Sequence, residues 1–351
     1  MDSAPSSASQ FKLSVIIPAR NEEDSLGDCL RSLVVQSESV WQLGRDWEIL
    51  VVDDNSTDQT HAIATSFPDV TVLRAPALER GWTGKANAAW AGANAARGEW
   101  LLFADADTIH EPGHLSLAIV EAERHNVAML SYSPRQIVTG VWQRALMPLV
   151  FSELALAYPP AKVSDPETHI AAANGQFLLI RRDVYIRIGG HEAVCDAILE
   201  DVELANIVKR RKLGLRFRYA PEAVSTRMYR SFGAMFEGWT KNLALLFGNS
   251  IALAAWRILD LVLLIGLPLL AWVLYQQNAQ IVLVIALMLL WVRNLWRYYR
   301  RVSKSNFPFV DCLITPIALP LFAILLYRSW FNHTVTKRVG WKGREYTSHN
   351  R

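Results

Sequence analysis

The chain of 351 residues has few cysteines, almost no excess charge and no glycine-rich dinucleotide signature. Cys29, Cys195 and Cys312 lie far apart without metal-ligand spacing, which excludes a disulfide scaffold, predicts no zinc site and favours reduced thiols. The 36 basic and 33 acidic side chains are too balanced to predict nucleic-acid binding. No GxGxxG follows the first predicted strand, so a dinucleotide site lacks its main signature.

The first residues also lack the pattern of a secretory signal. Residues 1–11 are polar and serine-rich, and they contain neither a basic region nor an apolar stretch. We predict a disordered N-terminus and a following domain that stays in the cytoplasm.

Charge is absent from Leu261 to Val292, a run of 32 residues. As one helix this run would extend for ~48 Å, longer than the ~30 Å core of a bilayer requires. We therefore expect a turn at Gln276–Gln280, between one span near Ile251–Tyr275 and a second near Ile281–Trp296. Arg257 and Asp260 are spaced to pair on one face of the first span.

A third apolar run, Cys312 to Tyr327, contains Pro316 and Pro320 and is preceded by Pro308. These prolines disfavour a straight helix, and a third full span would export the basic C-terminal residues. We predict a re-entrant or interfacial segment, with membrane segments over 251–331 and a basic cytoplasmic tail over 332–351. The second span is followed by five cations that favour the cytoplasmic side, namely Arg293, Arg297, Arg300, Arg301 and Lys304.

Residues 12–230 alternate between strand-like and helix-like segments, which predicts an α/β domain with a mostly parallel sheet. Ligands of such sheets bind at the carboxyl ends of the strands. A helix is expected over Lys85–Ala96, and another begins at Glu200 and extends to Arg211. Strand-like runs occur at Leu13–Pro18, Glu48–Val52, Val70–Leu73 and Trp100–Ala104.

Acidic clusters follow the first, second and fourth of these runs, and they would repel one another without a cation or hydrogen-bond donors among them. Asp105 and Asp107 alternate after the fourth strand and so can converge on one ion. Their hard oxygen ligands favour Mg²⁺ or Mn²⁺ bound together with substrate phosphates. Taken alone, two aspartates in a turn are more often solvated or cap a helix.

Six segments occur in an order that resembles the family 2 glycosyltransferases of the GT-A fold. They are PARNE, VVDDNSTDQT, GWTGKANA, FADAD, NGQFLLIRR and ILEDVELA. The resemblance covers about residues 12–230 and implies a GT-A nucleotide-sugar-binding domain followed by C-terminal membrane helices. The short catalytic domain and the closing Trp341-Lys342-Gly343-Arg344 look most like bacterial membrane enzymes that glycosylate carotenoid or hopanoid lipids.

The resemblance implies a donor site for a nucleotide sugar, and a UDP-sugar is the expected donor. Glu22 and Asp54 are expected to contact ribose and uracil, and Lys85 to contact the base and sugar side near the diphosphate. Asp53 is as well suited to bracing its loop as to touching the base. The remaining donor-site residues are Pro18, Ala19, Asn21, Asp105 and Ala106, and Asp107 with Asp105 would bind the metal.

By the same resemblance, Asp201 is the general base that takes the acceptor hydroxyl proton, with Glu200 in support. The local sequence alone equally favours acidic residues at a helix N-terminus. The residues on the acceptor side are Asn174, Gly175, Gln176, Gly190, His191 and Trp239. For His191 we favour structural hydrogen bonds over catalysis, and for Trp239 we favour interfacial packing in a region, 231–250, expected to form an interfacial helix.

Processive family members carry Gln-x-x-Arg-Trp before their membrane spans, whereas Met235-Phe236-Glu237-Gly238-Trp239 keeps only the tryptophan. We therefore expect single-sugar transfer rather than polymer synthesis. The apolar stretch Val138–Pro160 fits either a core helix or an amphipathic helix in the membrane interface.

The expected enzyme is an inverting, metal-dependent glycosyltransferase with a nucleotide-sugar donor and a lipid acceptor. It is expected in the bacterial inner membrane as a multi-pass protein with a cytoplasmic catalytic domain. The alternatives are transfer to polyprenyl phosphate, or a membrane-anchored scaffold that binds nucleotide without turnover.

Overall fold

The computed structural model describes residues 11–36, 41–341 and 343–347. The elements up to residue 136 are β1 (Phe11–Ala19), α1 (Leu26–Val34), β2 (Trp47–Asp53), α2 (Thr60–Thr65), β3 (Val70–Arg74), α3 (Gly84–Ala95), β4 (Gly98–Phe103), β5 (Thr108–His110), α4 (His114–Arg124), β6 (Met129–Ser133) and β7 (Arg135–Gln136). Next come α5 (Gly140–Ala157), α6 (Pro160–Ser164), β8 (Leu178–Arg181), α7 (Arg182–Ile188), α8 (Glu200–Arg210), β9 (Leu215–Tyr219) and β10 (Val224–Thr226). The last are α9 (Phe232–Leu246), α10 (Ser250–Gln276), α11 (Ile281–Val302), α12 (Phe309–Leu313), α13 (Leu319–Phe331), β11 (Arg338–Trp341) and β12 (Arg344–Thr347).

The chain divides into two compact units. The first contains the described residues up to Ile137 together with Pro160–Met228, and the second contains Val138–Pro159 and the described residues from Tyr229 onwards. The division departs from the single expected stretch of 12–230, because Val138–Pro159 belongs to the second unit. Of the residues 1–11 expected to be disordered, 1–10 lie outside the described residues, and the expectation is wrong at Phe11, which begins β1. Part of the expected tail also lies outside the described residues.

The first unit is built on a seven-stranded sheet in the order β3-β2-β1-β4-β8-β6-β9. All neighbours are parallel except that β8 runs antiparallel to β4 and β6. This arrangement confirms the predicted α/β class with a mostly parallel sheet. A smaller sheet pairs β5, β10 and β7, and these strands lacked a hydrophobic run long enough to predict.

The four predicted strand runs correspond to β1, β2, β3 and β4. The central strands β1, β2 and β4 are largely buried and therefore read as continuous apolar segments, whereas β3 is a partly exposed edge strand. All seven residues of β2 are buried. On one face of the sheet, Val15 and Ile17 pack with Leu26 and Leu30 of α1 in the main core. On the other face Gly92 of α3 lies directly against Ile16.

The second unit contains two helices long and apolar enough to cross a membrane, Ser250–Gln276 and Ile281–Ser305, with mean hydropathies of 2.3 and 1.6. The turn between α10 and α11 lies at the expected Gln276–Gln280 segment. The second helix continues beyond the expected Trp296 to Val302, because its cations reach acidic partners. Arg301 pairs with Asp260 of α10 at 2.6 Å.

A buried ionic cluster joins three helices of this second unit. Arg257 lies 3.2 Å from Asp260, the pair expected from sequence, and 2.9 Å from Glu153 of α5. Arg301 of α11 completes the cluster by contacting Asp260 and Glu153. Glu153 therefore faces two guanidinium groups and Asp260 faces three, since Arg297 lies 3.8 Å from it, and these charges offset the free energy of burying the carboxylates.

Helix α5 is a core helix of the second unit through its middle, where residues 145–153 are all buried. Its first turn is different, because Val141 and Trp142 are exposed. Of the two interpretations left open by the sequence, core packing therefore applies to most of this helix.

The third apolar run does not form one straight helix. It is divided into α12, a short 3₁₀ turn at Thr315–Ala318 and α13. The 13 residues of α13 extend for only ~20 Å, less than a bilayer core of ~30 Å. This division agrees with the expectation that the prolines disfavour a straight spanning helix.

We predict that Gly92→Ala lowers the free energy of unfolding of the first unit by ~1–3 kcal/mol, the usual penalty of overpacking a core. A Cβ atom at this position would lie 2.5 Å from Ile16 Cγ2 and 3.0 Å from Val52 Cγ2. The measurement is thermal unfolding of the full chain in detergent.

Gly27→Ala in α1 is the matched control, because its Cβ atom would meet its nearest neighbour, Arg31, at an ordinary 3.4 Å. Alanine is the better helix former, so this variant should unfold at the same or a higher temperature. A Gly92→Ala variant as stable as Gly27→Ala would contradict the tight packing of α3.

Candidate active site

The candidate site lies at the carboxyl ends of β1, β2 and β4. Ala19 is in register with Asp53 across β1 and β2, and Ile16 is in register with Phe103 across β1 and β4. Strand order reverses at β1, since β2 and β3 follow on one side and β4 on the other. Open α/β sheets bind ligands at such a switch point.

The loops after β1 and β2 are joined by hydrogen bonds into one wall. Asn21 accepts the Thr57 N–H at 2.9 Å through its side chain and donates its own N–H to Ser56 Oγ at 3.1 Å. Arg20 donates to the Asp54 carbonyl at 2.7 Å. Asn21 adopts a positive φ of 51°, which asparagine tolerates better than most residues. Its observed contacts thus shape the loops from within.

The predicted donor-site residues of these loops lie close together along the sheet edge. Pro18 and Ala19 are the last residues of β1, and Asp54 is 4% exposed just beyond β2. Glu22 accepts a hydrogen bond from Ser25 Oγ at 2.9 Å. Asp53 accepts the Ser56 N–H at 3.0 Å and lies 3.4 Å from His61 Nδ1, so its observed contacts brace the loop.

Asp105, Ala106 and Asp107 form a turn rather than the extended segment assumed from sequence. The Asp105 carbonyl accepts the Thr108 hydroxyl at 2.7 Å, which closes the turn, and Ala106 is buried inside it. The argument that alternating residues point the same way therefore does not apply here. Among the described residues, no group of three histidine, cysteine or acidic side chains is placed to hold a metal.

Lys85 connects parts of the site that are distant in sequence. It is the second residue of α3, whose N-terminus is capped by Thr83 Oγ1 accepting the Ala86 N–H at 3.3 Å. Its ammonium Nζ lies 2.7 Å from Asp105 Oδ1 and 3.0 Å from Glu200 Oε1. Burial lowers the pKa of Lys85, but Asp105, Glu200 and Asp201 outweigh this effect and raise it well above its ordinary value. Lys85 is therefore a permanent cation in the site.

Asp201 occupies the first turn of α8 and accepts two backbone hydrogen bonds. Val202 N–H donates to Oδ1 at 2.8 Å, and Gly175 N–H donates to Oδ2 at 2.7 Å. Burial, followed by repulsion from Glu200, raises the pKa of Asp201 to about 6, against the opposing effects of Lys85 and the two N–H donors. This carboxylate is a stronger base than an ordinary aspartate and is still ionised at neutral pH.

Glu200 behaves differently from its neighbour. Burial would raise its pKa, but the adjacent Lys85 outweighs burial and holds it below its usual range. Glu200 is only 6% exposed. Two adjacent carboxyl groups are thus separated in pKa by one cation, which is the arrangement expected where one of them exchanges a proton.

Gly175 lies where a larger residue would displace the Lys85 ammonium. A Cβ atom on Gly175 would come within 2.9 Å of Lys85 Nζ and 3.4 Å of Asp201 Oδ2. Its neighbours are fixed as well, since Asn174 Oδ1 accepts the Gln176 N–H at 3.0 Å and Gln176 donates to Thr226 Oγ1 at 3.2 Å. Gly175, predicted on the acceptor side, and Asp201, the predicted base, are therefore in direct contact.

His191 is buried and bonded to Tyr185. Its backbone N–H donates to the Tyr185 hydroxyl at 3.1 Å, and that hydroxyl lies 2.8 Å from Nδ1. Burial lowers the pKa of His191 to about 4, so the ring is neutral at pH 7. Gly190 has a φ of +50° and its Cβ would meet the Tyr185 ring at 2.5 Å. These contacts agree with the structural role favoured for His191.

Trp239 lies in α9 of the second unit, where it is 3% exposed. Its ring packs edge-on against Phe151 and Tyr229, with centroids 6.3 and 5.9 Å apart. The observed environment is aromatic packing within the second unit, and the packing in a membrane interface favoured from sequence stays a prediction.

Two features of this site escaped the sequence analysis. The first is the ion pairing of Lys85 with Asp105 and Glu200, for which the only available signal was the excess of acidic clusters at one sheet edge. The second is the Gly175 N–H donated to Asp201, which no local pattern announces.

Comparison with known proteins identifies relatives for this chain. The 4,4'-diaponeurosporenoate glycosyltransferase of Staphylococcus haemolyticus is 29% identical over 347 residues, which cover 95% of this chain and 88% of that protein. The enzyme of the same name from Staphylococcus aureus strain USA300 is 26% identical over 345 residues with the same coverage. The structure of mannosyltransferase PcManGT from Pyrobaculum calidifontis, solved with GDP-Man and Mn²⁺, is also similar, and the alignment covers 96% of this chain and 90% of the PcManGT chain. Its identity of 18% and TM-score of 0.49 are too low to carry further argument.

The model of Glycosyl transferase family 2 matches residues 14–189. This match covers half of the chain and includes β1, β2 and β4, whose carboxyl ends form the site, as well as Lys85 and Gly175. The chain therefore belongs to glycosyl transferase family 2.

Proposed function

We propose that this family 2 glycosyltransferase transfers one sugar, with inversion, from a nucleotide diphosphate sugar to a membrane lipid. The observation that carries the proposal is the convergence of Lys85, Asp105, Glu200 and Asp201 at the carboxyl edge of the sheet. The permanent cation Lys85, the ionised acid Glu200 and the base Asp201 of raised pKa are together suited to stabilising a departing diphosphate while accepting a proton.

The donor is proposed to be a UDP-sugar bound across the loops after β1 and β2. Glu22 and Asp54 are assigned to the ribose and uracil, within the wall organised by Asn21. Lys85 then places a positive charge beside the diphosphate at the N-terminus of α3, where backbone N–H groups and the helix dipole also favour an anion.

With a hydroxyl acceptor, Asp201 accepts the hydroxyl proton while the hydroxyl oxygen bonds to the anomeric carbon. A carboxylate acceptor is already ionised at neutral pH, so one of its oxygens bonds to the anomeric carbon without a proton transfer. The bond from that carbon to the diphosphate oxygen breaks on the opposite face, so configuration is inverted. Gly175 N–H and Val202 N–H hold the Asp201 carboxylate in place. Lys85 offsets the charge that develops on the leaving group.

We also propose that Asp105 and Asp107 bind Mg²⁺ or Mn²⁺ together with the donor. Two carboxylates fit such an ion, because Mg²⁺ typically takes one or two protein carboxylates and completes its shell with phosphates and water. When bound, the metal would neutralise charge on the departing diphosphate.

The proposed acceptor is a carotenoid-like lipid such as 4,4'-diaponeurosporenoate. The two relatives named 4,4'-diaponeurosporenoate glycosyltransferase each align with 95% of this chain. Helices α10 and α11 are also long and apolar enough to cross a membrane, where a lipid acceptor would be found. Transfer to polyprenyl phosphate is supported by no comparable observation.

A direct test incubates the full chain in nanodiscs with 4,4'-diaponeurosporenoic acid and each of several UDP-sugars, and analyses the lipids by mass spectrometry. The proposal expects a glycosylated lipid carrying one sugar. Binding of UDP-sugar without any transfer or donor hydrolysis, with Mn²⁺ present, would support the scaffold alternative instead.

Asp201→Asn is expected to leave donor affinity unchanged and to lower transfer to a hydroxyl acceptor by ~10²–10⁴, the usual contribution of a general base. A carboxylate acceptor is already ionised near neutral pH and should lose less. Donor affinity is measured by calorimetry, and transfer by initial rates with both acceptor types. A variant that transfers normally to a hydroxyl would remove Asp201 from the role of base.

Transfer to a hydroxyl acceptor should depend on pH through Asp201. The base must be ionised to accept a proton, so the rate is expected to be constant well above the pKa of about 6 and to fall as pH decreases through it. Initial rates from pH 5 to 8 test this dependence. Asp201→Asn should abolish the acidic limb, and a variant that retains it would assign the limb to another group.

Removal of the metal should stop transfer. With EDTA in excess, or in Asp107→Ala, we expect a loss of ~10²–10³ in rate, typical of removing electrostatic stabilisation of a leaving group. Asp105→Ala should impair both nucleotide and metal binding. Full activity of the wild-type enzyme in EDTA would refute the metal assignment.

The proposed location is the bacterial inner membrane, with α10 and α11 spanning it and the catalytic unit in the cytoplasm. The cations after Val292, including Arg293 and Lys304, favour the cytoplasmic side for the end of α11. A reporter fused after residue 351 should therefore be active on the cytoplasmic side. Activity confined to the far side would restore a third full span.

A further inference from the structure

Helix α8 holds the segment of residues 165–173, here called the acceptor loop, from both of its ends. Near the N-terminus of α8, Asp201 accepts the N–H of Gly175, which follows the loop. Eight residues further along the same helix, a distance of ~12 Å, Lys209 contacts the chain where the loop begins.

Lys209 is unusual for a lysine because it is only 8% exposed. Its ammonium donates to the carbonyls of Val163 at 2.6 Å and Asp165 at 2.5 Å, and it lies 3.4 Å from the Lys162 carbonyl. These carbonyls end the short helix α6, where a cation is favoured. Burial lowers the pKa of Lys209, and the charge of Asp165 opposes this effect without cancelling it.

A second set of hydrogen bonds stiffens the start of the acceptor loop. The Thr168 hydroxyl donates to the Lys162 carbonyl at 2.5 Å and lies 3.3 Å from the Asp165 carbonyl. At the far end, Ser131 Oγ accepts the Asn174 N–H at 2.8 Å. Between these attachments, Pro166, Glu167 and His169 remain exposed. The loop is therefore fixed at its ends and exposes its first half to solvent, while Ala171 and Ala172 are buried.

Chain connectivity gives this loop a second significance. The chain returns from the second unit at Pro160, passes through α6 and the acceptor loop, and reaches Gly175 beside Asp201. The loop is thus the stretch that links the unit bearing the apolar helices to the proposed base. A lipid acceptor must place its reactive group at the base while its tail stays in an apolar phase.

We propose that residues 165–173 bind the lipid acceptor near its reactive group and that Lys209 is the residue that positions this loop. The proposal rests on the proposed function, since it assumes a lipid acceptor at Asp201. Lys209 itself touches neither substrate, and the part of the site assigned to the donor does not involve it.

The test compares Lys209→Met with Arg210→Met in the full chain in nanodiscs, using a UDP-sugar shown to be a donor and 4,4'-diaponeurosporenoic acid. Arg210 is exposed and next in the same helix, so its variant controls for loss of one positive charge. We expect Lys209→Met to raise the acceptor KM by about tenfold or more, as loss of a charged hydrogen-bond set would. The donor KM and the kcat at saturating acceptor should stay near the wild-type values.

Thr168→Val provides a second variant if Lys209→Met fails to fold, because it loosens the same loop from a half-buried position. It too should raise the acceptor KM without changing the donor KM. An unchanged acceptor KM in the folded variants, or equal losses for donor and acceptor, would overturn the positioning role.

Hydrogen exchange separates this proposal from the proposed function. Addition of 4,4'-diaponeurosporenoic acid should protect the amides of residues 165–173 in the wild-type chain, and less so in Lys209→Met. If the wild-type chain transfers no sugar but shows this protection, the proposed function is wrong, whereas binding of the lipid by the acceptor loop is confirmed. If it transfers sugar without protection of the loop, the loop assignment is wrong.

Discussion

The ammonium group of Lys85 is the charge on which the candidate site depends. It is contributed by α3 and lies within 3.0 Å of carboxylates from two other segments, the turn after β4 and the start of α8. Without it, Asp105, Glu200 and Asp201 would repel one another in a partly buried place. The same cation lowers the pKa of Glu200 yet only moderates the rise at Asp201, so one interaction both assembles the site and separates the roles of its two adjacent acids.

Helix α8 connects the candidate site to the chain segment that precedes Gly175. Its first turn carries the proposed base, and Lys209 near its last turn holds the chain that leads to Gly175. A single rigid element thereby relates the base to the segment proposed to present the acceptor. Because α8 has contacts at both of its ends, it contains two charged side chains that are almost fully buried, Glu200 and Lys209.

The second unit uses buried charge for a different purpose. Glu153 and Asp260 each contact Arg257 and Arg301, and Arg297 lies 3.8 Å from Asp260, so three helices share one ionic cluster. Removing one member would leave an uncompensated buried charge, which is strongly destabilising. The cluster therefore sets the relative register of α5, α10 and α11, while the outward residues of α10 and α11 stay apolar and exposed, as helices in contact with lipid would be.

The sequence by itself determined the family, the α/β class, the first four strands and the two long apolar helices, because continuous hydrophobic runs and ordered motifs are local properties. It did not reveal β6, β8 and β9, which are short and owe their place in the sheet to neighbours far along the chain. Only the tertiary structure turned residues 105–107 into a closed turn, moved residues 138–159 into the second unit and brought Gly175 to Asp201. Those features depend on hydrogen bonds and ion pairs between segments that are distant in sequence. Such contacts form only when folding brings the segments together, so no local sequence pattern predicts them.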